Sequence, residues 1–363
     1  MVFSFAAAFV YADPHDDDYW WENPKDSRVL SENVAFSSTK YKSAKNESIY
    51  IMGYFNDGWV LMFNLFHMDT MFFDRWGMYA LVGKPDGTTY WKTNTPKAKN
   101  ILFEERYLRY FDGVNLVEDF GGSFRLTCNF DGFSCDLVFD KHLPPWKPGT
   151  GRENYTEDGV CFQYKAVFAP WTDLHGTIEV DGLELDIEGF GYGEKTLFIN
   201  PLTKFQPYLH ALRVYTPYET PREESYHIGI LHATLNKAYG NRELPRLVVA
   251  NGDTWLFTTR EYTFEPTRTE KLDEVSYKYG TAFSLFAEKD GYTLNGIVEE
   301  RVFVHFTDIF ENLPLWVKNF LIVFFKRPVY FRFIADFTGT ITGPDGVVTP
   351  LEMSGPYEYV VVY

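Results

Sequence analysis

The sequence predicts an all-β chain folded as two antiparallel barrels in tandem, and three observations predict it. Aromatic and β-branched residues alternate with polar ones over most of the chain; Asp-Gly or Asn-Gly dipeptides punctuate the alternation; and 363 residues exceed what one hydrophobic core usually organises. Apolar residues make up 45% and aromatic residues 19%, enough large side chains to fill two interiors or to line apolar cavities. The helices that a parallel α/β sheet needs between its strands are absent. With 34 Lys and Arg against 50 Asp and Glu, the net charge of −16 works against phosphate-backbone contacts, so nucleic acid is excluded as a main partner.

Residues 1–12 read as the end of a secretory signal peptide. An apolar run from Phe3 closes in Val10-x-Ala12 and gives way to the polar Asp13-Pro-His-Asp-Asp-Asp18, with no basic residues ahead of it; the other reading is a buried strand. The signal implies an exported protein, periplasmic or envelope-associated. Residues 13–29 form an N-terminal extension, 30–203 the first barrel and 204–363 the second, divided at Asn200-Pro-Leu-Thr-Lys-Phe-Gln-Pro207.

The first barrel shows its grammar best around Asp131-Gly132. Phe124, Leu126, Cys128 and Phe130 share one face, and across the turn Phe133, Cys135, Leu137 and Phe139 continue it, while Arg125, Thr127, Asn129, Ser134 and Asp136 face away. In that register Cys128 and Cys135 lie directly opposite, about 5.5 Å apart at Cα, which permits a disulfide. They read equally as a bridge or as two small apolar side chains, with Cys161 left single. The same punctuation recurs at Asp57-Gly58, Asp86-Gly87, Asp181-Gly182, Asn251-Gly252, Asp290-Gly291 and Asp345-Gly346. The Pro/Gly-rich stretch from Leu143 to Gly151 is expected to cross over a barrel end.

In the second barrel one segment departs from the pattern. Ile309, Phe310, Leu313, Val317, Phe320, Leu321 and Phe324 recur at helical spacing before Arg327-Pro328, which predicts a helix near 308–325. It reads as a lid packed on a barrel. Because Phe320-Leu-Ile-Val-Phe-Phe325 is apolar all round, peripheral membrane contact through 309–325 is the rival reading. No run reaches the length of a membrane-spanning helix.

The segment richest in chemistry is Glu188-Gly-Phe-Gly-Tyr-Gly-Glu-Lys195, which sets Tyr192, Glu194 and Lys195 side by side in the chain. A glycine-rich strand lets a ligand or another backbone approach closely, and a carboxylate beside an ammonium can work as an acid/base pair when buried. Tyr192 and Glu194 are the catalytic candidates, and the same two residues with Lys195 are the ligand-binding candidates. The plainer reading is a β-bulge with an exposed charge pair.

This element resembles the tandem lipocalin-like family of carotenoid 1,2-hydratases (hydroxyneurosporene synthases) and AttH-like proteins. The resemblance rests on Gly189 to Tyr192 at mid-chain, on strand grammar across residues 30–363, and on a late helix leading through Leu313-Pro-Leu-Trp-Val-Lys318 to Phe325-Lys-Arg-Pro-Val-Tyr-Phe-Arg332. It implies two lipocalin-like barrels. Where the family continues after Gly-Tyr with a His-Asp-His-Asn-Trp-like run, this chain has Gly193, Glu194, Lys195, Thr196 and Leu197. Only the acid is retained in kind, so the resemblance implies Glu194 as a proton donor and argues against carotenoid hydration.

Metal and hydrolase signatures are missing. His227 and His232 are five apart on a strand and so face opposite ways, His175 and His210 lack nearby partners, and His67-Met-Asp69 offers a His and a carboxylate with no third orienting group. No cofactor and no metal are expected. The leading expectation is an exported protein that binds a hydrophobic small molecule, a lipid or isoprenoid, in a barrel cavity or at the domain interface. Its rivals are a cofactor-independent hydratase, isomerase or cyclase with Glu194 as general acid and Tyr192 in support, and an envelope interaction protein without a small-molecule ligand. The sequence carries no signal of oligomeric state.

Overall fold

The computed structural model describes residues 29–362 except 40, 42–43, 70–73, 149, 157, 200–207, 236, 273–276 and 309–327. The signal segment 1–12, the barrel boundary at 200–207 and the body of the helix near 308–325 lie outside the described residues.

Alternation and turn chemistry produce two antiparallel sheets. The first contains β1 (Lys45–Phe55), β2 (Val60–Asp69), β3 (Asp74–Gly83), β4 (Thr89–Asn94), β5 (Leu102–Phe103), β6 (Arg109–Phe111), β7 (Leu116–Asp119), β8 (Ser123–Phe130), β9 (Phe133–Lys141), β10 (Arg152–Asn154), β11 (Phe162–Val180) and β12 (Leu183–Ile199). The second contains β13 (Tyr208–Tyr215), β14 (Tyr226–Thr234), β15 (Glu243–Leu244), β16 (Leu247–Asn251), β17 (Thr254–Thr259), β18 (Tyr262–Leu272), β19 (Tyr277–Lys289), β20 (Tyr292–Asp308), β21 (Pro328–Thr342) and β22 (Val348–Val362). One short helix, α1 (Ser31–Val34), precedes them.

Both sheets follow the same path. The first strand lies in the middle, the following strands step outward on one side, and the last strand returns to its other side, giving β4-β3-β2-β1-β12-β11-β9-β8-β7-β6-β5 and β17-β16-β14-β13-β22-β21-β20-β19-β18. Each curls as a half-barrel around its own apolar filling. Ile49, Ile51, Phe63, Phe124, Leu137, Phe139 and Phe168 fill the first, and Leu212, Val214, Phe283, Leu285, Phe331, Phe333 and Tyr357 the second.

The turns behave as their residues require. Gly58, Gly87, Gly132, Gly182, Gly252, Gly291 and Gly346 all have positive φ, as do Asp181 and Asp290 ahead of two of them. Cys128 pairs directly with Cys135, and the face from Phe124 to Phe139 is buried as expected. The two cysteines are free thiols with Sγ atoms 2.8 Å apart.

The central strands are buried on both faces because the two sheets also pack against one another. On β1, Ile49 and Ile51 point into the first half-barrel while Tyr50 and Met52 point at the second sheet. A third apolar cluster occupies this interface, built from Tyr50, Met52, Trp146, Val167, Trp171, Phe190, Tyr192, Tyr215, Trp255 and Ile334 among others. The Pro/Gly-rich stretch after Leu143 contributes to it. Trp146, held by an isolated bridge to Val167, is carried onto the interface.

Candidate functional site

Strand β12 decides where the candidate residues go. Its pairing with β1 runs without a break from Phe55↔Gly189 to Lys45↔Ile199, so side chains alternate strictly and the expected bulge at Gly189–Gly193 is absent. The irregularity lies on β11 instead, between Val167 and Thr172. The glycines serve packing: a Cβ at Gly191 would sit 2.3 Å from the Phe139 ring, and one at Gly193 would sit 2.5 Å from that of Phe168.

Strict alternation separates the three residues the sequence sets side by side. Tyr192 and Glu194 face the second sheet, whereas Lys195 turns into the first half-barrel. All three are buried, so the reading as an exposed charge pair is also corrected. Lys195 forms an ion pair with Glu47 at 2.6 Å and donates to the Ala35 carbonyl. It belongs to a separate cluster with Lys45 inside the half-barrel.

Glu194 sits in a network drawn from both sheets. Lys165 Nζ on β11 donates to Oε1 at 2.8 Å, the Tyr192 hydroxyl donates to Oε2 at 2.5 Å, and Arg213 Nη2 on β13 stands 3.6 Å from Oε2. The Arg213 guanidinium lies 3.9 Å above the Tyr192 ring, a cation–π contact within a dry interface. A reciprocal contact runs the other way: Tyr50 on β1 donates at 2.8 Å to Glu358 on β22, which also accepts from Arg332 at 3.2 Å. At the flank, Arg246, just before β16, donates to Glu153 on β10 of the first sheet at 3.0 Å.

These neighbours set the protonation states. Burial pushes the Glu194 carboxyl up, but Lys165 and Arg213 outweigh it and hold the group at about 2. Burial pulls Lys165 down against the pull of Glu194, leaving it at about 8. With its carboxyl held low, Glu194 carries negative charge near neutrality and anchors the cations around it, and Lys165 is the neighbour whose charge lies nearest to changing.

Beside this network the interface leaves a small pocket of about 40 Å³, lined by Trp146, Tyr192, Trp255 and His227, by aliphatic residues such as Val167 and Leu212, and by Arg213 and Arg246. Burial keeps His227 neutral, at about 3. A larger cleft of about 390 Å³ opens elsewhere along the same interface, where Phe190, Tyr215 and Tyr218 meet Arg301, Asp336 and Glu352.

The histidines weighed in the sequence find these partners. His67 bonds Asp74 at 2.8 Å and stacks on Trp76 at 4.3 Å, so its partner is across the hairpin rather than Asp69. His227 and His232 do face opposite ways, and His210 finds Tyr357 at 2.7 Å, a cross-strand partner invisible in the sequence. Among the described residues no group of His, Cys, Asp and Glu is arranged to hold a metal.

Arg213, Lys165, Trp146 and Trp255 were not singled out by sequence reasoning. Arg213 and Lys165 do carry a signal, since each is a lone cation within an apolar strand, Ala211-Leu-Arg-Val-Tyr215 and Phe162-Gln-Tyr-Lys-Ala-Val-Phe168.

No family model matches the chain, and no curated protein matches it in sequence. Solved structures match its fold. An AttH-like protein of Nitrosomonas europaea superposes with a TM-score of 0.63 at 11% identity, over 93% of this chain and 98% of that one. Kievitone hydratase of Nectria haematococca gives 0.56 at 13% identity over 94% and 98%. The protein CghA gives 0.60 at 9% identity over 95% and 96%. At such identities the likeness shows the fold: two curled antiparallel half-barrels of the AttH-like, lipocalin-like kind.

Proposed function

We propose that this chain binds a hydrophobic small molecule, a lipid or isoprenoid, between its two half-barrels. The observation that carries this reading is the small, mostly apolar pocket beside Arg213, since apolar pockets with a few convergent polar groups are the usual ligand sites. At about 40 Å³ the space holds little more than water, so a guest must displace a wall. Trp146 and Trp255 face one another across this space at 6.5 Å.

Native mass spectrometry with solvent extraction, on protein purified from its own cells, tests this. A stoichiometric lipophilic molecule supports it; empty protein that also shows no quenching of tryptophan fluorescence by added isoprenoids overturns it.

A second reading, a hydratase, isomerase or cyclase at the same place, is favoured by one observation. Lys165, at about 8, shares a dry site with Glu194 and Tyr192, and one structural neighbour bears the name kievitone hydratase. In that reading Lys165 transfers the proton and Glu194 holds it in place. We also propose export to the periplasm or envelope, from the N-terminal apolar run; the N-terminal residue of the mature protein tests it.

A further inference from the structure

The interface carries a donor imbalance that bears on what it binds. Its buried, ion-paired groups are Lys165, Arg213, Arg246 and Arg332 against Glu153, Glu194 and Glu358, all between 1% and 8% exposed. Among the described residues, four buried cations meet three buried carboxylates at this interface.

The hydrogen-bond balance leans the same way. Arg213 Nη1 and Trp255 Nε1 have no partner among the described residues; Arg213 is 4% exposed and Trp255 3%, and both line the cavity. Each atom can only donate. One side of the Arg213 guanidinium is engaged by Glu194 and its face by Tyr192, which leaves Nη1 over.

We infer that the ligand is an anionic amphiphile, an apolar body carrying a carboxylate whose oxygens accept from Arg213, with Trp255 as second donor. This rests on the binding reading above and adds its head group. The carboxylate supplies the missing acceptors to a cation and a neutral donor, while the rings of Trp146, Tyr192 and Trp255 offer apolar surface beside them.

The experiment is calorimetric titration of the full chain with two matched pairs of different size, geranate against geraniol and retinoate against retinol. The acids are expected to bind about tenfold tighter or more than the alcohols, the usual worth of a charged hydrogen bond. Arg213→Met should abolish that preference. Trp255→Phe, which keeps the ring and deletes the donor, should reduce it several-fold and guards against a folding defect in the first variant. Equal binding of acid and alcohol overturns the anionic assignment alone, as does a preference that survives both substitutions. Failure of all four molecules to bind overturns the binding reading and this inference with it.

Discussion

Glu47 and Glu194 are both buried carboxylates, on neighbouring strands of one sheet, yet they are satisfied in different ways. Glu47, fully buried inside the first half-barrel, accepts Ser37 N–H at 3.1 and 3.2 Å, Lys195 at 2.6 Å, and has Lys45 at 3.5 Å. The two ammoniums are completed by carbonyls of the same upstream segment, Lys45 by Ser37 at 2.6 Å and Lys195 by Ala35. Phe36 anchors that segment by packing 4.8 Å from Trp76. The chain closes this site with its own backbone.

Glu194 draws its partners from both sheets, and donors are left over around it. The difference separates two uses of a buried charge. Where the surrounding chain satisfies every group, the charge ties segments together; where donors remain beside a cavity, a guest completes the site.

The comparison can be broken at several points, the largest effect first. Glu47→Ala leaves two buried ammoniums without their anion and should destabilise the protein by about 3–5 kcal/mol, read as a lower urea midpoint, with ligand affinity of the folded fraction unchanged. A loss of affinity equal to that of Arg213→Met would erase the distinction between the two carboxylates.

Next is the acid limb of stability. Glu194 is lowered from 4.5 to about 2 in the fold, so its contribution of about 3 kcal/mol is complete above about pH 4.5 and disappears as pH falls towards 2. Urea midpoints measured across that range should fall less steeply in Glu194→Gln than in the natural protein. An unchanged slope would mean that Glu194 is not held by its neighbours as described.

The alkaline side concerns Lys165, which faces Glu194, Arg213 and Arg246. Its value drops from 10.5 to about 8 on folding, so the folded state sheds the proton first and stability from this group rises between those limits. Anion binding should move oppositely, weakening several-fold as pH rises through about 8, and Lys165→Met should flatten that profile. A carboxylate ligand whose affinity ignores this window would argue that it lies away from Lys165.

The smallest effect concerns Cys128 and Cys135. If the protein is exported, its intact mass should be lower by two hydrogens than after reduction, and reduction should cost less than the roughly 2–3 kcal/mol of a short disulfide loop, because the Asp131-Gly132 turn already holds the strands together.

Much of the fold was legible from local chemistry. Each Asp-Gly or Asn-Gly turn marks a hairpin because glycine tolerates positive φ, and the faces around Cys128 follow from period-two alternation. Glu194 was legible as a candidate too, through its place after a glycine-rich run, but its surroundings were not. Sequence alternation says that Glu194 and Lys195 face opposite ways only if no bulge intervenes, and the bulge proved to be on β11.

By itself, then, the sequence determined an all-β chain of hairpins with aromatic interiors, since turns and alternation depend on residues a few positions apart. The tertiary structure alone decided that the second face of the central strands meets another sheet, that Arg213 reaches Glu194 across the gap, and that Lys195 closes a different site. The physical reason is that strand alternation assigns side chains to two faces without saying what either face will touch, whereas charge balance and donor satisfaction depend on which faces the packing of two sheets brings together.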